Sequence, residues 1–312
     1  MVEIAAARWA EVGGVMTRRE LLAAGYTDAD IRTMSRRRRL TQLRRGWYST
    51  GSADPAVAAA VRSGGVLACV SALGRRGIWV PPADGHSHVR ASTYGRASSA
   101  RSYCSAYGGL PAPTQAVDAV PEAVACAARC LPAEMFVAVC DSVLFRDPGL
   151  DVADLAGFIP GAPQRLRRLL DHVDRRAESG TESLVRYRLR RRGIAVRIQE
   201  DVPHVGRVDL LVGRCLVIEC DSRTYHLGDA YYTDRARDRA ALWQEYGTFR
   251  VTYEDVLFDW PAVEEQILDI VRSRRHLRPP RPRLLELGAV EVEASAGTRD
   301  DNRRESSLRP RF

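Results

Sequence analysis

The sequence predicts an α+β chain of several domains, and three patterns indicate it. With 312 residues, the chain exceeds the usual size of one domain. Two capped helices followed by a short hairpin predict one unit over 1–52, and helix-period apolar runs predict a mainly helical region over 53–175. Residues 176–278 alternate between helix and strand patterns, which predicts an α/β core with a mixed four-stranded sheet. The segment 279–312 has no periodic pattern and is expected to be disordered.

Charge and cysteine usage limit the function classes. The chain has 47 basic residues against 39 acidic ones, a net charge of +8, and every basic residue is arginine. This balance favours a polyanionic partner, and arginine is well suited to phosphate. A GC-rich genome also explains the absence of lysine. Whatever its cause, this absence excludes any mechanism that needs a lysine of this chain. Seven cysteines scattered in apolar runs predict a reduced, cytoplasmic protein. Neither a signal peptide nor a run of membrane-spanning length is evident, so no membrane partner is expected.

The first unit has the element order of a winged helix-turn-helix. Thr17 and Glu20 have capping-box spacing before a helix that ends near Gly25. A second helix begins with Thr27 or Asp28 as its N-cap. A small hairpin about Gly46 follows it, in the position of a wing. Helix, turn, basic helix and basic ribbon, in that order, predict contact with duplex DNA.

Arginines are concentrated in this unit: residues 1–50 contain ten, against five acids. The residues expected to contact DNA are Arg32, Arg36, Arg37, Arg38 and Arg39 on the second helix, and Arg44 and Arg45 on the wing. The alternative is a solvated basic face, which is what a run of charge alone usually indicates.

The sequence pattern of the middle region does not indicate a chemical function. It is predicted to be helical over DPAVAAAVRSGGVLACVSALGRRG, VPEAVACAARCL, PAEMFVAVCDSVLF, DVADLAGFI and PQRLRRLLDHVDRRA, with strand-like segments around HSHVRASTYG and SARSYCSAYGG. His86 and His88 have a spacing that suits a metal, but without a nearby third ligand they are interpreted as ordinary strand or loop residues. Cys126 and Cys130 share a helix face at i and i+4, which favours core packing.

The last domain has a regular order of elements. A helix in GTESLVRYRLRRRG ends at Gly193, and three strands follow in IAVRIQEDV, GRVDLLVG and CLVIECDS. The helix YTDRARDRAALWQEYG, the strand TFRVTY and the helix WPAVEEQILDIVRSRR complete the domain.

Acidic residues interrupt two of these strands. A three-residue loop, GRC, pairs Val212 with Leu216 and places Asp209 opposite Glu219, whereas a two-residue loop would turn them apart; we expect the first register. Asp221 then lies two residues along the same face, and the three carboxylates fall within about 5 to 8 Å of one another.

Crowded carboxylates need a cation. Two unit charges about 4 Å apart repel by about 1 kcal/mol in water and by several times that near a protein surface. Mg²⁺ prefers a few carboxylates plus water and is the expected ion. The alternative is neutralisation by a guanidinium group, for which Arg207 and Arg223 are close in sequence.

Landmarks of the domain, in order, also support a family resemblance. The helix with an acid, the strand with Asp and the strand with Glu-x-Asp resemble the PD-(D/E)XK restriction-endonuclease-like core. TESLVRYRLRRRG, GRVDLLV, LVIECDSRTYH and TDRARDRAALWQEYGTFRVTYEDV resemble, over about 178–272, a bacterial domain family related to very-short-patch-repair (Vsr) endonucleases. VMTRRELLAAGYTDADIRTMSRRRRLTQLRRGWY resembles the AbiEi-type antitoxin winged helix.

The resemblance implies roles for the acids. Asp209 and Glu219 would hold Mg²⁺, which activates a water and neutralises the scissile phosphate. Asp221 occupies the position where the general motif has lysine. Glu182 would be the helix acid that reaches the same site, although Ser179 and Glu182 also have capping-box spacing.

Two further residues complete the expected site. His226 is the expected substitute for the missing lysine, as the group that positions or deprotonates the attacking water; the alternative is a hydrogen-bonded histidine at a strand end. Arg235 is placed to contact phosphate or to form a surface ion pair. Cys220 and Ser222 stand where the family usually has tyrosine and glycine, so an eroded site on an intact fold remains an alternative.

Together these patterns predict a DNA-binding protein with a magnesium-dependent endonuclease domain. The alternative is a non-enzymatic, antitoxin-like regulator with a degenerate nuclease fold, and RNA cleavage is a third hypothesis. A cognate toxin or a repair protein is the partner class that the resemblances imply, while the sequence gives no oligomeric state.

Overall fold

The computed structural model describes most of the chain. The described residues are 9, 12–82, 85–91, 103–202, 205–221 and 246–279. The predicted disordered tail lies outside them except for its first residue, and so does the predicted helix YTDRARDRAALWQEYG except for its last two residues.

The first unit combines two short helices with a three-stranded antiparallel sheet. Its elements are β1 (Val15–Thr17), α1 (Arg18–Ala23), α2 (Asp28–Arg36), β2 (Thr41–Arg44) and β3 (Trp47–Ser49), and the strand order is β1-β3-β2. Both helices begin with a complete capping box, Thr17 with Glu20 and Thr27 with Asp30. The predicted caps are therefore confirmed, because a cap depends only on side chains three residues apart. Met16, Leu21, Ile31 and Leu40 form the core of this unit.

The middle region is mainly helical, as predicted. Its elements are α3 (Pro55–Arg62), β4 (Gly65–Leu67), α4 (Cys69–Arg75), β5 (Val89–Ala91), α5 (Val120–Cys130), α6 (Ala133–Arg146), α7 (Val152–Phe158), α8 (Gln164–Arg167) and a 3₁₀ turn (Arg168–His172). The prediction of continuous helix from Asp54 to Gly77 is wrong, because β4 divides it and pairs antiparallel with β5. Gly65 allows this close pairing, since a Cβ there would lie 2.5 Å from the Arg90 carbonyl oxygen.

The last domain contains the predicted four-stranded mixed sheet. Its elements are α9 (Gly180–Arg191), β6 (Val196–Val202), β7 (Gly206–Val212), β8 (Leu216–Asp221), β9 (Gly247–Thr252), α10 (Tyr253–Phe258), α11 (Trp260–Arg272) and a 3₁₀ turn (Arg275–Leu277). The strand order is β6-β7-β8-β9, with β6, β7 and β8 antiparallel and β9 parallel to β8. One face of the sheet packs with α9 and α11 around Leu184, Leu189, Ile198, Leu210, Ile218 and Ile267.

The middle region and the last domain share a tightly packed junction between α6 and α9. Arg186 of α9 and Asp141 of α6 are both 0% exposed and form an ion pair at 2.5 Å. Arg188 donates two hydrogen bonds of 2.8 Å to the carboxylate of Glu134. Gly180 packs so closely on the Trp79 indole that any side chain would overlap the ring. The helix that carries Glu182 is therefore held rigidly against the rest of the protein.

Candidate functional site

Three polar side chains from three different elements meet beside the first turn of α9. The Gln199 side-chain amide on β6 donates to Glu182 Oε2 at 2.8 Å and to Asp209 Oδ1 at 3.5 Å. Asp209 Oδ2 on β7 in turn accepts a hydrogen bond of 2.8 Å from the backbone N–H of Cys220 on β8. A helix and three neighbouring strands thus converge on two carboxylates bridged by one amide.

A local distortion of the sheet brings the side chains of Gln199 and Asp209 towards Glu182. Gln199 has a φ of 52°, an uncommon left-handed conformation for a residue other than glycine. The β6–β7 register passes from Ile198–Leu210 to Glu200–Val208 with no direct pair between Gln199 and Asp209. Before this step Ile198 and Leu210 face α9, whereas Val202 and Val208 beyond it belong to the cluster on the other face. The strands change faces at Gln199 and Asp209, which frees both side chains to reach Glu182.

The predicted register of the acidic hairpin is confirmed. Val212 pairs with Leu216 across the three-residue loop, and Leu210 pairs with Ile218. The pairs of this ladder end there, so the opposition of Asp209 and Glu219 stays a prediction. On β8, Ile218 and Cys220 face α9, so by alternation Glu219 shares the opposite face with Val217. Asp209 is therefore connected through Gln199 to Glu182, whereas Glu219 lies on the adjacent strand with its side chain on the other face.

The electrostatics around this step are strongly acidic. Burial, followed by the nearby charge of Asp209, raises the pKa of Glu182 from 4.5 to about 7. The pKa of the buried Cys220 thiol is raised well above its usual range, first by burial and then by the charges of Asp209, Glu182, Glu219 and Asp221. The charges of Glu182, Asp209, Glu219 and Asp221 therefore all act on the buried Cys220 thiol of β8. Asp221 itself is exposed.

The structure also addresses two of the alternatives that the sequence leaves open. Ser179 is the N-cap of α9, and its hydroxyl accepts from the Glu182 N–H at 3.1 Å. The Glu182 carboxylate, however, accepts from Glu178 N–H and from Gln199, so Glu182 both starts the helix and belongs to the acidic group. Arg207 pairs with exposed Glu178, whereas Arg250 on β9 is the Cα partner of Glu219 in the parallel register.

Several predicted site residues lie outside the described residues. These are His226, Arg235 and Arg223, so the roles expected of them remain predictions. Gln199, by contrast, was not predicted. The interruption of apolar alternation in VRIQEDV, where Val196 and Ile198 are followed by Val202 instead of an apolar residue at 200, is the signal that marks it.

The basic residues of the first unit divide into exposed and engaged groups. Arg32, Arg36, Arg37, Arg38, Arg39 and Arg45 are exposed. The prediction that the second helix continues through Arg39 is wrong, because α2 ends at Arg36 and Arg38 has a φ of 56°. Arg37 to Arg39 therefore form a basic turn beyond the helix. Arg44 is half-buried, with its guanidinium 4.6 Å from the Trp47 ring centroid and donating to the Gly65 carbonyl at 3.3 Å. Its role is therefore to join the first unit to the middle region.

A second group of chemically active side chains lies in the middle region, away from the acids. The Sγ atoms of Cys69, Cys104 and Cys130 and a ring nitrogen of His88 all lie within 4.8 Å of one another. The prediction of core packing is wrong for Cys130, which is exposed. His88 was expected to lack a third ligand, but the fold brings potential ligands to it from distant segments. Cys126 is buried in the core, as predicted.

Comparison with known proteins does not name a family. No protein-family model matches this chain, and no curated protein matches it either. Among the described helices, none combines the length and the apolar composition that crossing a bilayer requires.

Proposed function

We propose that the protein binds duplex DNA and that its last domain is a magnesium-dependent endonuclease of the PD-(D/E)XK type. The observation that carries the proposal is the group formed by Glu182, Gln199 and Asp209, in which two carboxylates from separate elements are drawn together. A purely structural core gains nothing from this arrangement, since a buried carboxylate beside another one is costly. Such costs are concentrated at functional sites.

The donor set fits a hard divalent cation. Carboxylate oxygens from α9 and β7 point at the same place, which suits the oxygen ligands that Mg²⁺ prefers. We assign Asp209 as a metal ligand and Glu182 as the acid beside it. Glu219 lies on the adjacent strand with its side chain on the other face by alternation, so its role as second ligand is the one that the family resemblance implies. When bound, the metal would supply an activated water and neutralise charge on the phosphate.

The protein's own side chains prepare the site. Cys220 N–H fixes one oxygen of Asp209, and the Gln199 amide holds the other oxygen and the Glu182 carboxylate in a common orientation. Near neutral pH, Glu182 exchanges its proton easily because its pKa lies at about 7. A group with this pKa can accept a proton from an attacking water.

DNA binding is assigned to the first unit. Two capped helices and a β2–β3 ribbon support the winged-helix interpretation, and Arg32, Arg36 to Arg39 and Arg45 are exposed on this unit. Arg36, Arg37 and Arg39 replaced together by alanine should weaken binding to any duplex and reduce the slope of log K against log salt by about 1 for each lost phosphate contact. Arg272→Ala, which removes an exposed arginine of α11, is the matched control and should leave the slope unchanged.

Cleavage is tested with supercoiled plasmid, with and without Mg²⁺. Wild-type protein should nick it only with the metal, and Asp209→Asn and Glu219→Gln should each reduce nicking by at least about 100-fold. Glu264→Gln is the control, because its carboxylate pairs with Arg192 at the far end of α9. Nicking that persists in both site variants would refute the assignment. Matched DNA and RNA duplexes in the same assay determine which backbone is the substrate.

One observation favours a second candidate function. Arg250 is the Cα partner of Glu219, and a guanidinium there can replace a metal as the counter-charge. In that case the protein is a non-enzymatic, antitoxin-like regulator that binds operator DNA through its first unit. Tight sequence-specific binding without cleavage under any divalent ion, and without gain of metal binding in Arg250→Met, would establish it.

A further inference from the structure

Four potential soft-metal ligands converge in the middle region, at the β4–β5 ladder. Cys69, His88, Cys104 and Cys130 place three sulfur atoms and one imidazole nitrogen within 4.8 Å of one another. Cys104 Sγ lies 3.3 Å from His88 Nδ1. Cys69 is buried, His88 and Cys104 are half-buried, and Cys130 is exposed, so the group lies at the margin of the core, where an ion can enter.

Backbone hydrogen bonds fix the positions of the first three ligands. Leu67 pairs with Val89 in the β4–β5 ladder, and the Ala68 N–H donates to the His88 carbonyl at 2.9 Å. The Cys104 N–H donates to the Val89 carbonyl at 2.8 Å. None of these bonds involves a thiol, so the main-chain fold itself brings the ligands together.

The fourth ligand comes from a helix that the same strand helps to anchor. The Asp118 N–H donates to the Leu67 carbonyl at 2.8 Å, just before α5, and Cys130 is the last residue of that helix. Cys69 also has a φ of 52°, a conformation that costs energy in a residue other than glycine and that is retained where the surroundings require it.

The distances between the ligand atoms are compatible with a tetrahedral Zn²⁺ ion. Zn²⁺ binds thiolate at about 2.3 Å and imidazole at about 2.0–2.1 Å, which places tetrahedral ligands about 3.8 Å apart for S···S and about 3.6 Å for S···N. A set of ligand atoms within 4.8 Å, with one S···N contact of 3.3 Å, meets this requirement with small adjustments. Mg²⁺ does not suit sulfur ligands. Three thiolates and an imidazole are instead a preferred set for zinc.

We propose that Cys69, His88, Cys104 and Cys130 form a structural Zn²⁺ site that ties β4, β5 and α5 of the middle region together. With four protein ligands the coordination shell is closed, which is typical of a structural ion and leaves no position for a substrate. The site is separate from the acidic group on α9, β6 and β7, and it does not depend on nuclease activity.

Metal content tests the proposal directly. Wild-type protein purified without chelator should contain about one zinc ion per chain, measured by inductively coupled plasma mass spectrometry. Cys130→Ala and His88→Ala should each lose that zinc. The matched control is Cys126→Ala, four residues earlier on α5 and buried in the core, which should retain it. Co²⁺ exchanged into the wild type should show the sulfur charge-transfer and d–d bands of a tetrahedral thiolate site, and these should be absent in Cys130→Ala.

Folding is monitored separately, so that loss of metal is not confused with loss of structure. Cys130 is exposed at a helix end, so Cys130→Ala should keep the far-ultraviolet dichroism of the wild type while its melting temperature falls to that of chelator-treated wild-type protein. The proposal is overturned if the wild type contains no stoichiometric zinc, if zinc is retained equally in Cys130→Ala and His88→Ala, if iron takes its place, or if mass mapping finds a disulfide among the three cysteines.

Discussion

The junction between α6 and α9 makes a quantitative prediction about the buried pair of Arg186 and Asp141. Arg186 donates to Asp141 Oδ2 at 2.5 Å and to the His172 carbonyl at 2.6 Å. Asp141 Oδ1 accepts from the Asp174 N–H at 2.8 Å. Both side chains are completely buried. Arg186→Met preserves most of the volume but leaves a buried carboxylate without its counter-charge.

The expected cost follows from this burial. Removing one partner of a buried ion pair destabilises a protein by about 3–5 kcal/mol, a large part of the ~5–15 kcal/mol by which most domains are stable. Asp141→Asn in the same chain removes the charge and keeps an oxygen for the Asp174 N–H. The double variant should therefore be about 2 kcal/mol more stable than Arg186→Met alone, because two residues in contact are energetically coupled.

Urea unfolding of the wild type, both single variants and the double variant measures this coupling. The control is Arg192→Met at the C-cap of the same helix. The Arg192 side chain is 56% exposed, and its partner Glu264 belongs to α11, outside the α6–α9 junction. Its loss should cost less than about 1 kcal/mol. If Arg186→Met unfolds within about 1 kcal/mol of that control, or if the double variant is no more stable than Arg186→Met, the reasoning is refuted.

Three further predictions concern the site helix and the first unit. In metal-free protein, stability should fall as pH rises from 4.5 to about 7, because folded Glu182 keeps a proton that the unfolded chain has released; Glu182→Gln should remove this slope in urea titrations. Gly180→Ala should lower the melting temperature strongly, since its methyl group would overlap the Trp79 indole, and a mild effect would show that the junction is loosely packed. Thr17→Ala, which removes the capping box with Glu20, should cost about 1 kcal/mol by thermal melting, and Thr17→Ser should restore it.

Features that depend on neighbours in sequence were predicted well. Thr17 and Thr27 cap their helices, and the α9 helix stops before Gly193, because each of these depends on residues within one helical turn. The four strands of the last sheet and the pairing of Val212 with Leu216 follow from alternation and loop length. Errors arose where a residue has a backbone conformation that its residue type rarely adopts. Arg38 has a left-handed φ that ends a run of otherwise helical arginines.

The acidic group shows the limit of strand-based reasoning. The pairing of Leu210 with Ile218 was derivable from loop length, since register extends along a ladder. The participation of Gln199 was not, because it depends on a left-handed residue at which two strands change faces. The pattern of VRIQEDV contains this information only as a broken alternation, and a broken alternation has many causes.

The cysteine and histidine group could not be found by pairwise spacing at all. Short spacings suggest pairs within one element, namely His86 with His88 and Cys126 with Cys130. In the structure, His88 and Cys130 instead lie beside Cys69 and Cys104. The four potential ligands come from the first residue of α4, the residue before β5, the segment at Cys104 and the end of α5. The β4–β5 ladder and the backbone hydrogen bonds of Leu67, Ala68 and Val89 bring them together. A closed metal site therefore has a sequence signature only when its ligands lie on adjacent turns. When four separate elements supply one ligand each, the fold must be known before the site can be seen.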